Sequence, residues 1–180
     1  LKTPQGELLQ SGTILPFPLP EASPEDYQQQ QELLLSIEAT VRDIHLAVQQ
    51  MREVRQQLEP ICAKLAKMEC TTELLEIGAA IMDQISQWEE KLIQARQETA
   101  QDAINFPNRL SAELLFLKSQ VDGYDPRVSA GAREVLAGLS SQWMRHQAQM
   151  RHILGTELAH FNRLYREQQL PAVIVPLVKE

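Results

Sequence analysis

The residues best suited to chemistry are three polar side chains in the last third of the chain. His146, Glu157 and His160 fall near the apolar side of a helical projection, and Glu157 and His160 form a Glu-x-x-His pair. Metal ligands on one helix usually lie three or four residues apart. A dimetal carboxylate bundle needs a second such pair and further inward glutamates, which the other predicted helices do not offer. We therefore interpret these residues as polar positions near an open bundle end, and predict no metal and no cofactor.

A second candidate set is basic. Six arginines follow one another along the same stretch: Arg127, Arg133, Arg145, Arg151, Arg163 and Arg166. On an ideal helix they share a sector of about 120° opposite the apolar positions. Such a ridge can follow a phosphate backbone, but the chain has a net charge of −7 and a pI near 5.2. We interpret the ridge as a solvated face that pairs with an acidic helix, and we expect no nucleic acid as partner.

Within that ridge, Arg133, Arg145, Arg151 and Arg163 are our candidate interaction surface, together with the apolar tail residues Val173, Ile174 and Val175. The tail is a candidate for contact with a partner domain, and local docking on the bundle is an equal alternative. Trp88 and Trp143 are in phase with apolar neighbours, which favours core packing over a binding groove.

The remaining chemical signatures are weak. Cys62 and Cys70 would lie about 12 Å apart on one helix, beyond the ~7 Å that a disulfide spans, although a turn between them would let them pair. We interpret both as small buried side chains. The sequence has no glycine-rich phosphate loop, nucleophile elbow, His-Glu-x-x-His or Cys-x-x-Cys motif. We expect no enzyme activity in this chain.

Four predicted helices must position these residues. The first starts at the Ser23 cap with Pro24 at its first position, and Pro60 is expected to kink or end it. The second runs from Thr71 or Thr72 to about Thr99, and the third from Asn108 to Val121. The first helix has a heptad seam that one arginine interrupts: Leu34, Ile37, Val41, Ile44, Val48, Met51, Arg55 and Leu58.

The last predicted helix, Arg127 to about Gln168, dominates the pattern. At about 1.5 Å per residue it would be a rod on the order of 60 Å long. Its apolar positions share a sector of roughly 80°: Val128, Ala132, Val135, Leu139, Trp143, Met150, Ile153, Phe161 and Leu164. A rod of this kind cannot bury its apolar side alone, so the other helices must cover it.

The sequence therefore predicts an all-α fold, an antiparallel up-down helical bundle of three to four helices with long first and last helices, preceded by a short extended or β-like segment. Short connections favour up-down-up-down neighbours. Charge supports contact between the second and last helices, because Glu69 to Glu98 holds seven acids and two bases whereas the last helix is rich in arginine. No apolar run approaches the ~18 residues of a membrane span.

Composition divides the chain into three parts. Residues 1–24 hold a hairpin-like start, with Pro4-Gln5-Gly6 as its turn, and then a proline-rich connector. We interpret them as the tail of a preceding β-rich domain plus a linker. Residues 25–170 are the helical bundle, and residues 171–180 form an extended apolar tail that Pro176 keeps from being helical.

Several short motifs resemble the C-terminal helical region of bacterial sortilin-type propeller proteins, which often carry a BNR-repeat glycosyl hydrolase label. They are Phe106–Leu110, Val121–Asp125, Leu158–Leu164 and Leu170–Val173. Gln169 departs from the pattern, which has glycine there. The resemblance implies an upstream β-propeller and a periplasmic or secreted location. It supplies no catalytic residue here, since a glycan site would belong to the propeller.

These observations lead to one expected function and two alternatives. We expect a non-catalytic helical accessory domain of a larger extracytoplasmic propeller protein, acting as a spacer, docking or assembly element for the upstream domains. The first alternative is a free-standing coiled-coil-like module that forms a homodimer through the seam of the first helix. The second is a metal-binding helical bundle.

Overall fold

The computed structural model describes residues 22–67, 72–94 and 107–168, the backbone of residues 2–3 and 6–7, and Gly12. Two short strands, β1 (Lys2–Thr3) and β2 (Gly6–Glu7), pair antiparallel, as expected for a hairpin. The helices are α1 (Pro24–Leu65), α2 (Thr72–Leu92), α3 (Leu110–Val121), α4 (Ala130–His152) and α5 (Leu158–Glu167), with a π turn (Ile153–Glu157) joining α4 to α5. The predicted all-α bundle with long first and last helices is confirmed.

The start of α1 follows from its capping residues. The Ser23 Oγ accepts a hydrogen bond from the Asp26 N–H at 3.2 Å, and the Ser23 N–H donates to the Asp26 carboxylate at 2.8 Å. The backbone hydrogen bond from Ser23 is the main cause that lowers the pKa of Asp26. At its other end, α1 continues through Pro60 to Leu65. The buried contacts of Leu58 and Leu65 on either side outweigh the hydrogen bond that proline removes.

Cross-helix contacts show that α2 and α3 both run antiparallel to α1. Arg52 contacts Glu89 while Cys62 lies beside Gly78, so α2 descends along the second half of α1. The Lys118 Nζ lies 2.7 Å from the Glu38 Oε1, and the Gln30 amide donates to the Val121 carbonyl at 2.8 Å. These two contacts place α3 along the first half of α1.

The last helical segments run parallel to α1 and complete the bundle. The Arg133 guanidinium donates to Gln29 near the start of α1. Phe161 lies beside Gly78, which is itself next to Cys62 near the end of α1. The described residues therefore form three helical columns: α1, then α2 followed by α3, then α4 with the π turn and α5. At about 1.5 Å per residue, the 42 residues of α1 make the bundle about 60 Å long.

The direction of α3 differs from the expected alternation of four helices. The Gln94 amide donates to the Pro107 carbonyl at 3.3 Å, so Pro107 lies beside the point where α2 ends. Because α3 starts at that point, it continues the column of α2 in the same direction. The described part of α2 ends at Leu92, earlier than expected, and α4 starts after the Ser129 cap, whose Oγ accepts from the Ala132 N–H at 3.1 Å.

The π turn corrects the phase of the last column. A π turn contains one more residue per turn than an α-helix, so the residues after it are rotated by about 100°. Leu158, Phe161 and Tyr165 are therefore buried in the core. On an uninterrupted α-helix, Glu157 and His160 would instead have pointed toward the core. The predicted single continuous α-helix is therefore wrong at the π turn.

The core runs through all three columns and is wider than the predicted seams. Of the predicted α1 seam, Ile37, Ile44 and Met51 are completely buried. The core also contains Leu33, Ala47, Val54, Cys62 and Leu65, because α1 has a neighbour on both sides. Val135 is half-exposed, contrary to prediction, since Leu136 packs against the core in that turn of α4.

Candidate functional site

The predicted arginine surface lies on the outside of the third column. Arg133, Arg145, Arg151 and Arg163 are all exposed. The Arg133 Nη2 donates to the Gln29 Oε1 at 2.6 Å, and the Arg145 Nε donates to the Ser141 carbonyl at 3.4 Å. Among the described residues none of these four arginines forms an ion pair. The expected pairing with the acidic helix is therefore wrong for this part of the chain, although α2 does pack against α4 and α5.

The π turn decides which arginines share a face. On an uninterrupted helix Arg151 and Arg163 would lie about 120° apart, and the extra residue of the π turn removes most of that angle. With this rotation, four arginines lie on one side of the column: Arg133, Arg151, Arg163 and Arg166. We call this side the arginine face. Arg145 lies about 120° around the helix from Arg133 and Arg151. The expected set of four is therefore brought together only in part.

A shallow groove borders the arginine face. It lies between α1 and α4, has a volume of about 260 Å³, and includes Ala47, Trp143 and Met150. Asp43 and Arg151 are at its rim. Trp143 is buried, as expected for a core residue, while Met150 is only partly covered. The groove therefore offers a small apolar area directly beside a positive charge that has no ion-pair partner among the described residues.

A buried carboxylate, which the sequence pattern did not predict, lies between α1 and α2. Glu89 is only 5% exposed. Its Oε1 accepts from the Arg52 Nε at 2.8 Å and its Oε2 from the Arg55 Nη1 at 3.4 Å. The Arg55 Nη1 also donates to the Ser86 Oγ at 3.2 Å. The detectable signal was Arg55 itself, a charge within an apolar heptad seam.

This Arg52–Arg55–Glu89 cluster lines an open depression of about 520 Å³. A buried carboxylate needs cations and hydrogen bonds around it, because its desolvation is costly. Glu89 has these partners, and Glu59 lies 3.8 Å from the Arg55 Nε, so two carboxylates balance the two arginines. The cluster is therefore suited to fixing the register of α1 against α2 rather than to binding an anion.

The predicted Glu-x-x-His pair is directed to local partners. The Glu157 Oε1 lies 3.1 Å from the His152 Nε2 across the π turn, and the His160 Nδ1 lies 3.0 Å from the Arg163 Nη2. In the described part of the chain, no three His, Cys, Asp or Glu side chains are grouped so that they could hold a metal ion.

His146 is half-buried beside α2. Burial, followed by the positive charges of Lys91 and Arg145, lowers the pKa of His146 below its ordinary value. Its backbone carbonyl accepts a hydrogen bond from the Trp88 Nε1 at 2.9 Å. Trp88 is fully buried, and the hydrogen bond satisfies its only donor. Both residues therefore belong to the contact between α2 and α4.

A serine and a histidine meet between α1 and α3. The His45 Nε2 lies 3.2 Å from the Ser111 Oγ, which is within the reach of a nucleophile and its base. Ser111, however, is only 6% exposed and sits in the first turn of α3. A substrate cannot approach this hydroxyl, so the geometry favours a hydrogen bond that holds α3 on α1.

The other candidate residues are not brought into a site. Cys62 is a free, buried cysteine whose pKa is raised by burial. Cys70 and the tail residues Val173, Ile174 and Val175 lie outside the described residues. None of the described helices combines the length and the apolar content that crossing a membrane requires.

Comparison with protein-family models, curated proteins and solved structures finds no match to this chain.

Proposed function

We propose that this chain is a non-catalytic helical accessory domain that serves a larger polypeptide as a docking or assembly element and as a spacer. The observation that carries the proposal is the arginine face. Arg133, Arg151, Arg163 and Arg166 extend over about 50 Å of one column, without a carboxylate partner among the described residues. In a chain with a net charge of −7, such a face fits the recognition of an acidic surface.

The bundle is also well suited to a spacer. Its core is continuous through the three columns, and hydrogen bonds or ion pairs fix α1 against α2, α3 and α4. Elements that are held together at several levels along their length resist bending. The two ends of the bundle lie about 60 Å apart by the length of α1.

The parent protein that we propose is an extracytoplasmic, sortilin-type propeller protein. The motifs Val121–Asp125 and Leu158–Leu164 and the strand pairing before α1 support it. In that setting the upstream domains of the same polypeptide are the first partners to consider. Any hydrolase activity would belong to the propeller.

The alternative of a dimer through the α1 seam has a specific difficulty. Ile37, Ile44 and Met51 of that seam are covered by the other helices of the same chain. Sharing the seam with a second chain would require the bundle to open. A dimer through an exposed face meets no such obstacle.

The test compares hydrogen exchange in this chain alone and in the complete parent polypeptide. We expect the exposed peptides around Arg151 and Arg163 to exchange more slowly in the parent, because docking covers them. Peptides around Arg145, which lies outside the arginine face, are the internal control. Equal exchange of the arginine face in both proteins, at all protein concentrations, would contradict a docking role.

A further inference from the structure

The outer surface of α2 carries the counterpart of the arginine face. Glu73, Glu76 and Asp83 are exposed, and their helical spacing places them within a sector of about 80°. Asp83 accepts a hydrogen bond from the Gln87 amide at 2.6 Å, and none of the three forms an ion pair within the described chain. We call these three residues the acidic face.

The two charged faces cannot meet within one molecule. α2 and α5 contact each other through their apolar sides, where Phe161 lies beside Gly78. The Arg133 contact with Gln29 places the arginine face toward α1, whereas the acidic face is on the outer side of α2. Each face is therefore open to a separate partner.

The acidic face matches in length the part of the arginine face between Arg151 and Arg163. Glu73 and Asp83 are ten residues apart, which is about 15 Å along an α-helix. Arg151 and Arg163 are twelve residues apart, which is at most about 18 Å, and the π turn shortens that distance. The acids lie on α2, and the two arginines lie on α4 and α5 on either side of the π turn, so acids and arginines can face each other over a similar span.

We propose that the partner of the arginine face is a second copy of this chain, which presents its acidic face. This inference rests on the proposed function and names its partner. The groove beside Arg151, with Trp143 and Met150, adds apolar area at one end of the contact. A contact between two different faces is heterologous, so it forms a ring or a chain of copies rather than requiring a two-fold axis.

The contact is sensitive to salt and to the sign of the charges. Exposed ion pairs each contribute little to affinity, and salt screens them beyond a Debye length of about 8 Å under physiological conditions. We expect association in 0.05 M salt, and at least about tenfold weaker association in 0.5 M salt. Sedimentation velocity over a concentration series measures both.

The decisive experiment is a charge swap in the full chain. One variant carries Arg151→Glu and Arg163→Glu, and the other carries Glu76→Lys and Asp83→Lys. We expect each variant alone to be monomeric, because its two faces then have the same sign. An equimolar mixture should associate, since the acidic face left intact in the first variant meets the intact arginines of the second. A chain carrying all four substitutions should self-associate again.

The control is Arg145→Glu, which makes the same type of substitution at one exposed position outside the arginine face. It should leave association within about threefold of the unmodified chain, since it lies outside the contact. Far-UV circular dichroism and thermal unfolding establish that every variant is folded before its mass is interpreted.

Three results would overturn the proposal. They are a monomer at all concentrations in 0.05 M salt, association that survives both double substitutions, and a mixture that stays monomeric. Hydrogen exchange separates this failure from that of the proposed function. A monomeric chain whose arginine face is protected in the parent polypeptide docks on another domain, and only the second-copy partner would then be wrong.

Discussion

Gly78 of α2 lies where three helices approach most closely. A Cβ added there would lie 2.5 Å from the Cys62 Sγ of α1 and 3.1 Å from a ring carbon of Phe161 of α5. Favourable contacts between nonbonded heavy atoms are about 3.5–4.0 Å long. The sulfur would thus be at least about 1 Å too close, and it cannot move freely because Cys62 is buried. Replacing Gly78 by alanine must therefore push helices or side chains apart.

Two opposing effects set the magnitude of Gly78→Ala. Alanine is about 1 kcal/mol better than glycine inside a helix, whereas overpacking a core costs about 1–3 kcal/mol. Gly138 of α4 isolates the first effect, because a Cβ there meets nothing within 4 Å. We expect Gly138→Ala to stabilise the protein by up to about 1 kcal/mol, and Gly78→Ala to be less stable than Gly138→Ala by about 1–3 kcal/mol.

Urea unfolding followed by circular dichroism measures the free energy of unfolding of both variants, with an unchanged slope as the sign of an intact two-state transition. Introducing Gly78→Ala into a Cys62→Ala background should cost less than in the unmodified chain, by about 1 kcal/mol of coupling. Gly78→Ala as stabilising as Gly138→Ala would refute the close packing of α1, α2 and α5.

Three further predictions concern the π turn, the buried carboxylate and a histidine. Deleting Thr156 should leave the protein folded, because removing one residue turns the π turn into an α-helix that keeps Phe161 inward. Deleting the exposed Gln49 within the regular helix α1 should lower the free energy of unfolding, measured in urea, several times more. The double-mutant cycle of Arg52→Ala and Glu89→Ala should give a coupling of about 1–2 kcal/mol, since Glu89 is buried, whereas the exposed Arg42–Asp43 pair should give nearly none; equal couplings would contradict the buried network. The folded-state pKa of His146 is lowered, so the contribution of the neutral imidazole to stability is present above pH 6.5 and is lost as pH falls through the folded pKa. His146→Gln should therefore reduce the fall of the free energy of unfolding below pH 6.5. An unchanged pH profile would count against the burial of His146.

The sequence predicts where the helices of this fold lie along the chain better than it predicts how they pack against each other. Apolar periodicity and the Ser23-Pro24 start locate α1, because caps and amphipathic faces are local properties. The direction of α3 is not local. It depends on the Gln94 contact with Pro107, which joins residues that periodicity does not relate.

The candidate surface was predictable in its composition but not in its geometry. Helical projection identifies a row of arginines, but an ideal projection assumes 3.6 residues in every turn. The π turn changes that phase between Arg151 and Arg163, and it also directs Glu157 to His152 rather than to the core. Its cause, the need to bury Leu158 and Tyr165, becomes visible only when the neighbouring helices are in place.

The Glu89 cluster was missed for a related reason. A glutamate on an amphipathic helix is normally exposed, and its burial depends on cations supplied by another helix. Arg55 interrupts the α1 seam, but only the packing of α2 on α1 shows that Glu89 is its partner. Pairings between helices that are distant in sequence have no signature in the periodicity of either helix.

Solution mass in 0.5 M salt tests most directly whether the bundle completes its core within one chain. Under these conditions the charged faces are screened, so we expect a monomer of 20.5 kDa whose thermal midpoint does not change with protein concentration. A salt-resistant dimer whose midpoint rises with concentration would show that the α1 seam is shared between chains, and would contradict the closed three-column bundle.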